Sequence, residues 1–107
     1  MQHNDVTVVR IVDDLDAATS EEATAYLDAK IDVGHTNLVI ELGDVAYMSS
    51  AGLRVILSTM QGARQQGGDL RLAGAEGHVR RVLDMSGFFR FIKEFPTAGE
   101  AVASYSR

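Results

Sequence analysis

The stretch VAYMSSAGLRVIL, residues 45–57, decides the fold, because inside it an apolar run hands over to a helical period. Just upstream, NLVIEL at residues 37–42 is a short apolar run bounded by turn residues, the pattern of a strand buried on both faces. From Leu53 the apolar positions recur as Leu53, Ile56, Leu57, Met60 and Ala63, which lie along one side of a helix. The helix is expected to begin between Ser49 and Gly52, and the glycines of QQGGDL close it.

Working outward, the same alternation repeats. VTVVRIV at residues 6–12 is rich in β-branched residues and reads as a strand that Asp13 and Asp14 end. TSEEATAYLDAKI offers Thr19 as N-cap, with Glu22 three residues on as a capping box. Ala23, Tyr26, Leu27 and Ile31 then lay an apolar stripe on one face, and Gly34 stops the helix. LRLAG is a third strand, residues 74–77 are a loop, and HVRRVLDMSG places Val79, Val82 and Leu83 on one side of a third helix closed by Gly87. Residues 91–95 read as a last strand, and Pro96 and Thr97 open a fourth helix with Glu100 in a second capping box. This order predicts an α/β fold: a mixed, largely parallel sheet of about four strands, joined by right-handed crossovers to four helices.

A chain of 107 residues has room for one domain, residues 1–107, with an ordinary hydrophobic share of 46% and charged share of 23%. No apolar run nears the roughly 20 residues that span a bilayer, and the start has no signal-peptide plan, so a cytoplasmic protein without membrane insertion is expected. Without cysteine there is no thiol chemistry, and a net charge of −5 argues against a nucleic-acid surface. His3, His35 and His78 are scattered and read as solvated surface residues rather than metal ligands. No nucleophile elbow, phosphate loop or metal-ligand spacing appears, so neither an enzyme nor a cofactor is expected.

The chemistry of the chain therefore concentrates at Ser49 and Ser50. Serine is among the best N-caps, and two serines ahead of a helix need no further role. Gly52, however, costs the first turn up to about 1 kcal/mol against alanine, and it leaves backbone open to close approach. A helix N-terminus also tolerates anions, so a phosphate on either serine would leave the fold intact while adding about −1.5 to −2 charge to the surface around it. Of Tyr47 and Met48, one is expected beneath the helix, and the other, with Leu53 and Arg54, on the surface as an anchor for a partner. Asp13, Asp14 and Asp16 read as a solvated turn.

LVIELGDVAYMSSAGLRVIL, GGDLRLAG and VRRVLDMSGFFRFI, in this order and spacing, resemble the STAS domain of bacterial anti-sigma factor antagonists, over nearly the whole chain from about Val6. The resemblance implies a protein that binds an anti-sigma factor, itself a serine kinase of the histidine-kinase-like ATPase fold, and so frees the sigma factor. Phosphorylation at the start of the second helix would break the complex, and a serine phosphatase would restore it. It further implies a partner-binding surface made of Asp16, Tyr47, Met48, Ser49, Ser50, Ala51, Gly52, Leu53 and Arg54. Relatives read Asp-Ser-Ser-Gly or Asp-Ser-Thr-Gly here, with the phosphate on the residue before glycine. In this chain that residue is Ala51, so the acceptor is either Ser50, then Ser49, or the partner is bound without this switch. Only five residues precede the first strand, so an edge strand found in relatives would be shortened or absent. The rival roles for the same fold are an unphosphorylated module serving a transporter, or a ligand sensor.

Overall fold

β2, Asn37–Glu41, holds the centre of the molecule, because Leu38, Val39 and Ile40 are all without solvent exposure. The computed structural model describes residues 5–106, and the readings made for His3 and for an edge strand ahead of Val6 lie outside the described residues. Around β2 the chain builds β1 (Thr7–Arg10), α1 (Ala17–Asp32), α2 (Ser50–Gln65), β3 (Asp69–Ala73), α3 (Gly77–Met85), β4 (Glu94–Phe95) and α4 (Ala98–Ala103). Short 3₁₀ turns occupy Phe88–Arg90 and Ser104–Ser106. All three pairings are parallel and the strands stand in the order β1-β2-β3-β4, as the alternation of strands and helices predicts.

That steady order has a consequence for the layers. Crossovers of one hand that always step to the same side leave their helices on one face of the sheet. Leu38, Ile40, Leu70 and Leu72 accordingly meet Leu27 and Ile31 of α1, Ile56 and Met60 of α2, and Val79 and Leu83 of α3 in one core. Each such side chain, fully buried, contributes about 1.5–3 kcal/mol. The opposite face carries Val39 and Ala73, and among the described residues α4 and the final turn cover it through Ala101, Val102 and Tyr105, with Val6 and Phe95 packed at its margins.

Three local expectations are corrected. The N-cap of α1 is Asp16, not Thr19: Asp16 Oδ1 accepts the amides of Ala18 at 3.0 Å and Thr19 at 3.2 Å. Thr19 stands at the third helical position and completes the capping box from the other side, its Oγ1 accepting the Asp16 amide at 3.1 Å. The motif was of the right kind, but the earlier aspartate is the residue whose backbone is still extended. Secondly, Tyr26 leaves the apolar stripe and is 52% exposed, whereas Leu27 and Ile31 enter the core. Thirdly, the last strand shrinks to two residues. Gly87, at φ 78°, turns the chain so that Phe88 enters the core and packs against Phe91 with ring centres 5.4 Å apart and planes tilted by 44°, and this aromatic packing replaces strand geometry up to Phe91. Thr97 caps α4 as expected, accepting the Glu100 amide at 3.1 Å.

A polar cluster ties the C-terminal turn to the thinly covered face. The Tyr105 hydroxyl lies between the carbonyls of Leu38, at 2.8 Å, and Asp69, at 2.9 Å, its one proton shared between them, while the Arg71 guanidinium lies 3.9 Å from its ring centre. Asp69 receives Arg64 Nε at 2.8 Å and Arg71 Nε at 3.4 Å. Partial burial works to raise the Asp69 carboxyl, but the Arg64 hydrogen bond, the Leu70 amide and the Arg64 and Arg71 guanidinium groups outweigh it and hold it below its usual value. A carboxyl lowered in the folded state adds stability above its unfolded pKa and loses it as pH falls through the folded one. The stability gap between the native chain and an Asp69→Asn variant, measured by urea unfolding, is therefore expected to narrow as pH drops from about 6 to about 2.

Candidate functional site

The start of α2 lies at the carboxyl ends of the parallel strands, the edge at which open α/β sheets place their functional loops. Two loops meet there and are strapped together. Leu15 pairs with Met48 as a parallel bridge, the Leu15 amide donating to the Tyr47 carbonyl at 3.0 Å and the Ser49 amide to the Leu15 carbonyl at 2.9 Å. Asp14 Oδ1 adds the amides of Ala46 at 3.3 Å and Tyr47 at 3.1 Å. The solvated-turn reading thus holds for exposed Asp13 but not for Asp14, which latches the second loop, nor for Asp16, which caps α1. The strap fixes the start of α1 relative to the start of α2.

The two serines, adjacent in sequence, do different work. Ser49 is the N-cap of α2: its Oγ accepts the Ala51 amide at 3.2 Å and lies 3.5 Å from the Leu15 carbonyl. Ser50 is the first helical residue, exposed, and its hydroxyl makes no hydrogen bond among the described residues. Ser49→Ala is therefore expected to lower the unfolding free energy by about 1 kcal/mol. Ser50→Ala should stay within about 0.5 kcal/mol of the native chain in the same urea titration.

Gly52 has a different reason from the one its sequence position offers. A Cβ built there would lie 2.6 Å from the Leu15 carbonyl oxygen and 2.8 Å from both Leu15 Cβ and Met48 Cγ. The glycine admits the strap, so its backbone is covered by the chain itself and is not open to an incoming group. Met48, at 2% exposure, is the residue buried beneath the helix, and Tyr47, at 47%, is the one left on the surface. Of the residues expected to meet a partner, Gly52 and Met48 consequently shape the surface from below. Tyr47, Ser50 and Arg54 are exposed, and Asp16, Ser49, Ala51 and Leu53 are partly so.

Two features escaped the sequence. His78 of α3 is half-buried rather than solvated, stacking on Tyr47 with ring centres 5.1 Å apart and planes 9° from parallel. Its Nε2 is buried without a hydrogen-bond partner among the described residues. The stack holds the tyrosine ring against the body of the protein. The second is a groove of about 490 Å³ between α1 and α2, lined by Ser20, Thr24 and Asp28 on one side and Ala51, Arg54 and Ser58 on the other. Small side chains one turn apart on both helices were the available sign, but which faces of the two helices would meet is not written in either helix alone. Among the described residues no group of three or more acidic or histidine side chains is placed to hold a metal, and no helix is long and apolar enough to cross a membrane.

Residues 1–101 match the STAS domain family. The chain is 39% identical over 90 residues to BtrV of Bordetella bronchiseptica, covering 84% of this chain and 75% of that one. It is 33% identical over 91 residues to the anti-sigma F factor antagonist of Paenibacillus polymyxa, covering 84% and 78%. In three dimensions it resembles the anti-sigma factor antagonist SpoIIAA in its unphosphorylated form, with a TM-score of 0.81 and 23% identity over 98% of this chain and 92% of that one. The STAS domain of a SulP transporter from Vibrio cholerae shares the fold at a TM-score of 0.75 and 17% identity, over 98% and 84%. Fold likeness at these identities does not separate a free regulator from a transporter module, whereas the sequence match to the family spans nearly the whole chain. The chain belongs to the STAS domain family.

Proposed function

We infer that this protein is an anti-sigma factor antagonist: it binds an anti-sigma factor through the surface around residues 47–54 and thereby frees the sigma factor. Relatives bearing that name support the role. The observation that carries the mechanism is the division of labour between the serines. With Ser49 already committed to the cap, Ser50 presents a free hydroxyl on a rigid helix start, where a kinase can reach it and where a phosphate meets the positive end of the helix. The partner is accordingly an anti-sigma factor with serine kinase activity, and a phosphatase resets the switch. Tyr47, held by His78, supplies the aromatic anchor, and the groove between α1 and α2 supplies the adjoining contact.

The test uses the cognate anti-sigma factor and ATP, with any phosphate mapped by mass spectrometry in the native chain and in Ser50→Ala. Phosphate on Ser50, lost in the variant, is the expected result. Uptake that persists in Ser50→Ala would move the switch to another residue. A pull-down from the native cell that recovers transporter subunits and no anti-sigma factor would overturn the role itself.

A further inference from the structure

Among the described residues, the outer side of the β1 ladder has no neighbouring strand. The Ile11 amide donates to the Glu41 carbonyl at 3.2 Å, and β1 pairs with β2 in the register Val9↔Ile40 and Arg10↔Glu41. Residues 7, 9 and 11 therefore turn their backbone groups toward β2, and Val8, Arg10 and Val12 turn theirs outward, since successive residues of a parallel strand alternate. No strand among the described residues stands beyond them.

A groove of about 380 Å³ follows this edge, between β1 with its following loop and α1. Exposed apolar side chains flank this edge on both faces: Val8, at 45%, on the face away from α1, since Val9 next to it enters the core, with Val12 at 68% beyond it, and Tyr26, at 52%, on α1. Its rim is acidic. Asp13, Asp14 and Glu22 line it, and none has a cationic partner among the described residues. Arg10 also lines the groove, but its guanidinium is paired with Asp44 at 3.0 Å and lies 3.8 Å from Glu41.

We propose that this edge is a second docking site, distinct from the start of α2, that takes an extended segment of another protein with alternating apolar and basic residues as an added strand. Backbone pairing with Val8, Arg10 and Val12 supplies the affinity, and the side-chain pattern supplies the choice of partner. Apolar side chains lie along Val8 and Val12, and basic ones reach Glu22 and Asp13 or the face of Tyr26. A second copy of this chain is a poor occupant, because it carries the same acidic rim and a net charge of −5.

The probe is a fluorescein-labelled peptide KVKVKVK, with EVEVEVE as control, titrated into the full chain by fluorescence polarisation and followed by amide exchange. Val8→Pro is the decisive variant. Proline removes an outward N–H and obstructs a neighbouring strand, yet Val8 gives no hydrogen bond to β2, so the inner ladder survives. The lysine peptide is expected to saturate, to weaken at least about tenfold in Val8→Pro, and to weaken several-fold in Asp13→Asn/Glu22→Gln or when salt rises from about 0.05 to about 0.5 M. Exchange at Val8, Arg10 and Val12 should slow on binding. The double charge variant leaves the backbone untouched and keeps the test decisive if the proline variant fails to fold. Absence of saturation, equal binding of the glutamate peptide, or indifference to both variants would overturn the proposal. So would slow exchange at the three amides in the free chain: at every concentration it would mean that the chain's own residues cover the edge, and if rising with concentration, a second copy.

Discussion

Gly52→Ala is expected to destabilise the protein by about 1–3 kcal/mol, although alanine is the better helix former by about 1 kcal/mol. The added methyl meets the Leu15 carbonyl oxygen at 2.6 Å, a backbone atom tied by the Ser49 amide, with Leu15 Cβ and Met48 Cγ at 2.8 Å closing the other directions. Nothing there can yield without parting the strap between the two loops. At about 4–8 °C per kcal/mol for a domain near this size, the melting temperature should fall by several degrees at least. Gly62, in the same helix, makes the control. A Cβ there meets only the terminal methyl of Ile31, at 3.3 Å, which can swing away, so Gly62→Ala is expected to be neutral or to stabilise by up to about 1 kcal/mol. Two glycine-to-alanine changes in one helix thus differ in sign, as read from the urea midpoint at constant m. A raised midpoint for both would mean that the strap is loose and that Gly52 has no packing role.

Ser50→Asp is expected to weaken the complex with the anti-sigma factor at least about tenfold while leaving the free protein as stable as before or stabler by up to about 1 kcal/mol. The two effects separate because they act on different sides of the same residue. Inward, a carboxylate on the first helical residue meets unpaired amides and the positive end of the helix dipole. Outward, it places a charge in the middle of a docking face, where association must strip its water, a cost that a neutral hydroxyl largely escapes. Calorimetric titration of the complex and urea unfolding of the free chain read the two sides independently. An affinity indifferent to aspartate at position 50 would remove this residue from the interface, whereas a weakened fold would show that the helix start does not tolerate charge.

Much of this molecule is legible along the chain. The strand NLVIEL and the helix from Leu53 follow from hydrophobic period alone, since burial on two faces and burial on one leave different spacings. The serine cap is equally local, because an N-cap bond spans two or three residues. The misread features share a cause: each depends on a partner far away in sequence. Asp16 rather than Thr19 caps α1 where the Leu15 to Met48 bridge ends the extended chain, and the last strand begins only at Glu94 because Phe88 enters the core and the chain makes a 3₁₀ turn ahead of it. His78 becomes part of the site only when α3 packs beside the loop that carries Tyr47.

The order of strands and helices, the parallel sheet and the helix start that bears two hydroxyls were determined by the sequence itself, since hydrophobic period and capping act over a few residues. Why Gly52 must be glycine and which aromatic faces outward were decided only by the tertiary structure. Those answers rest on a carbonyl of Leu15 and a ring of His78 brought in from other elements, and short-range propensity carries no information about what long-range packing sets alongside a residue.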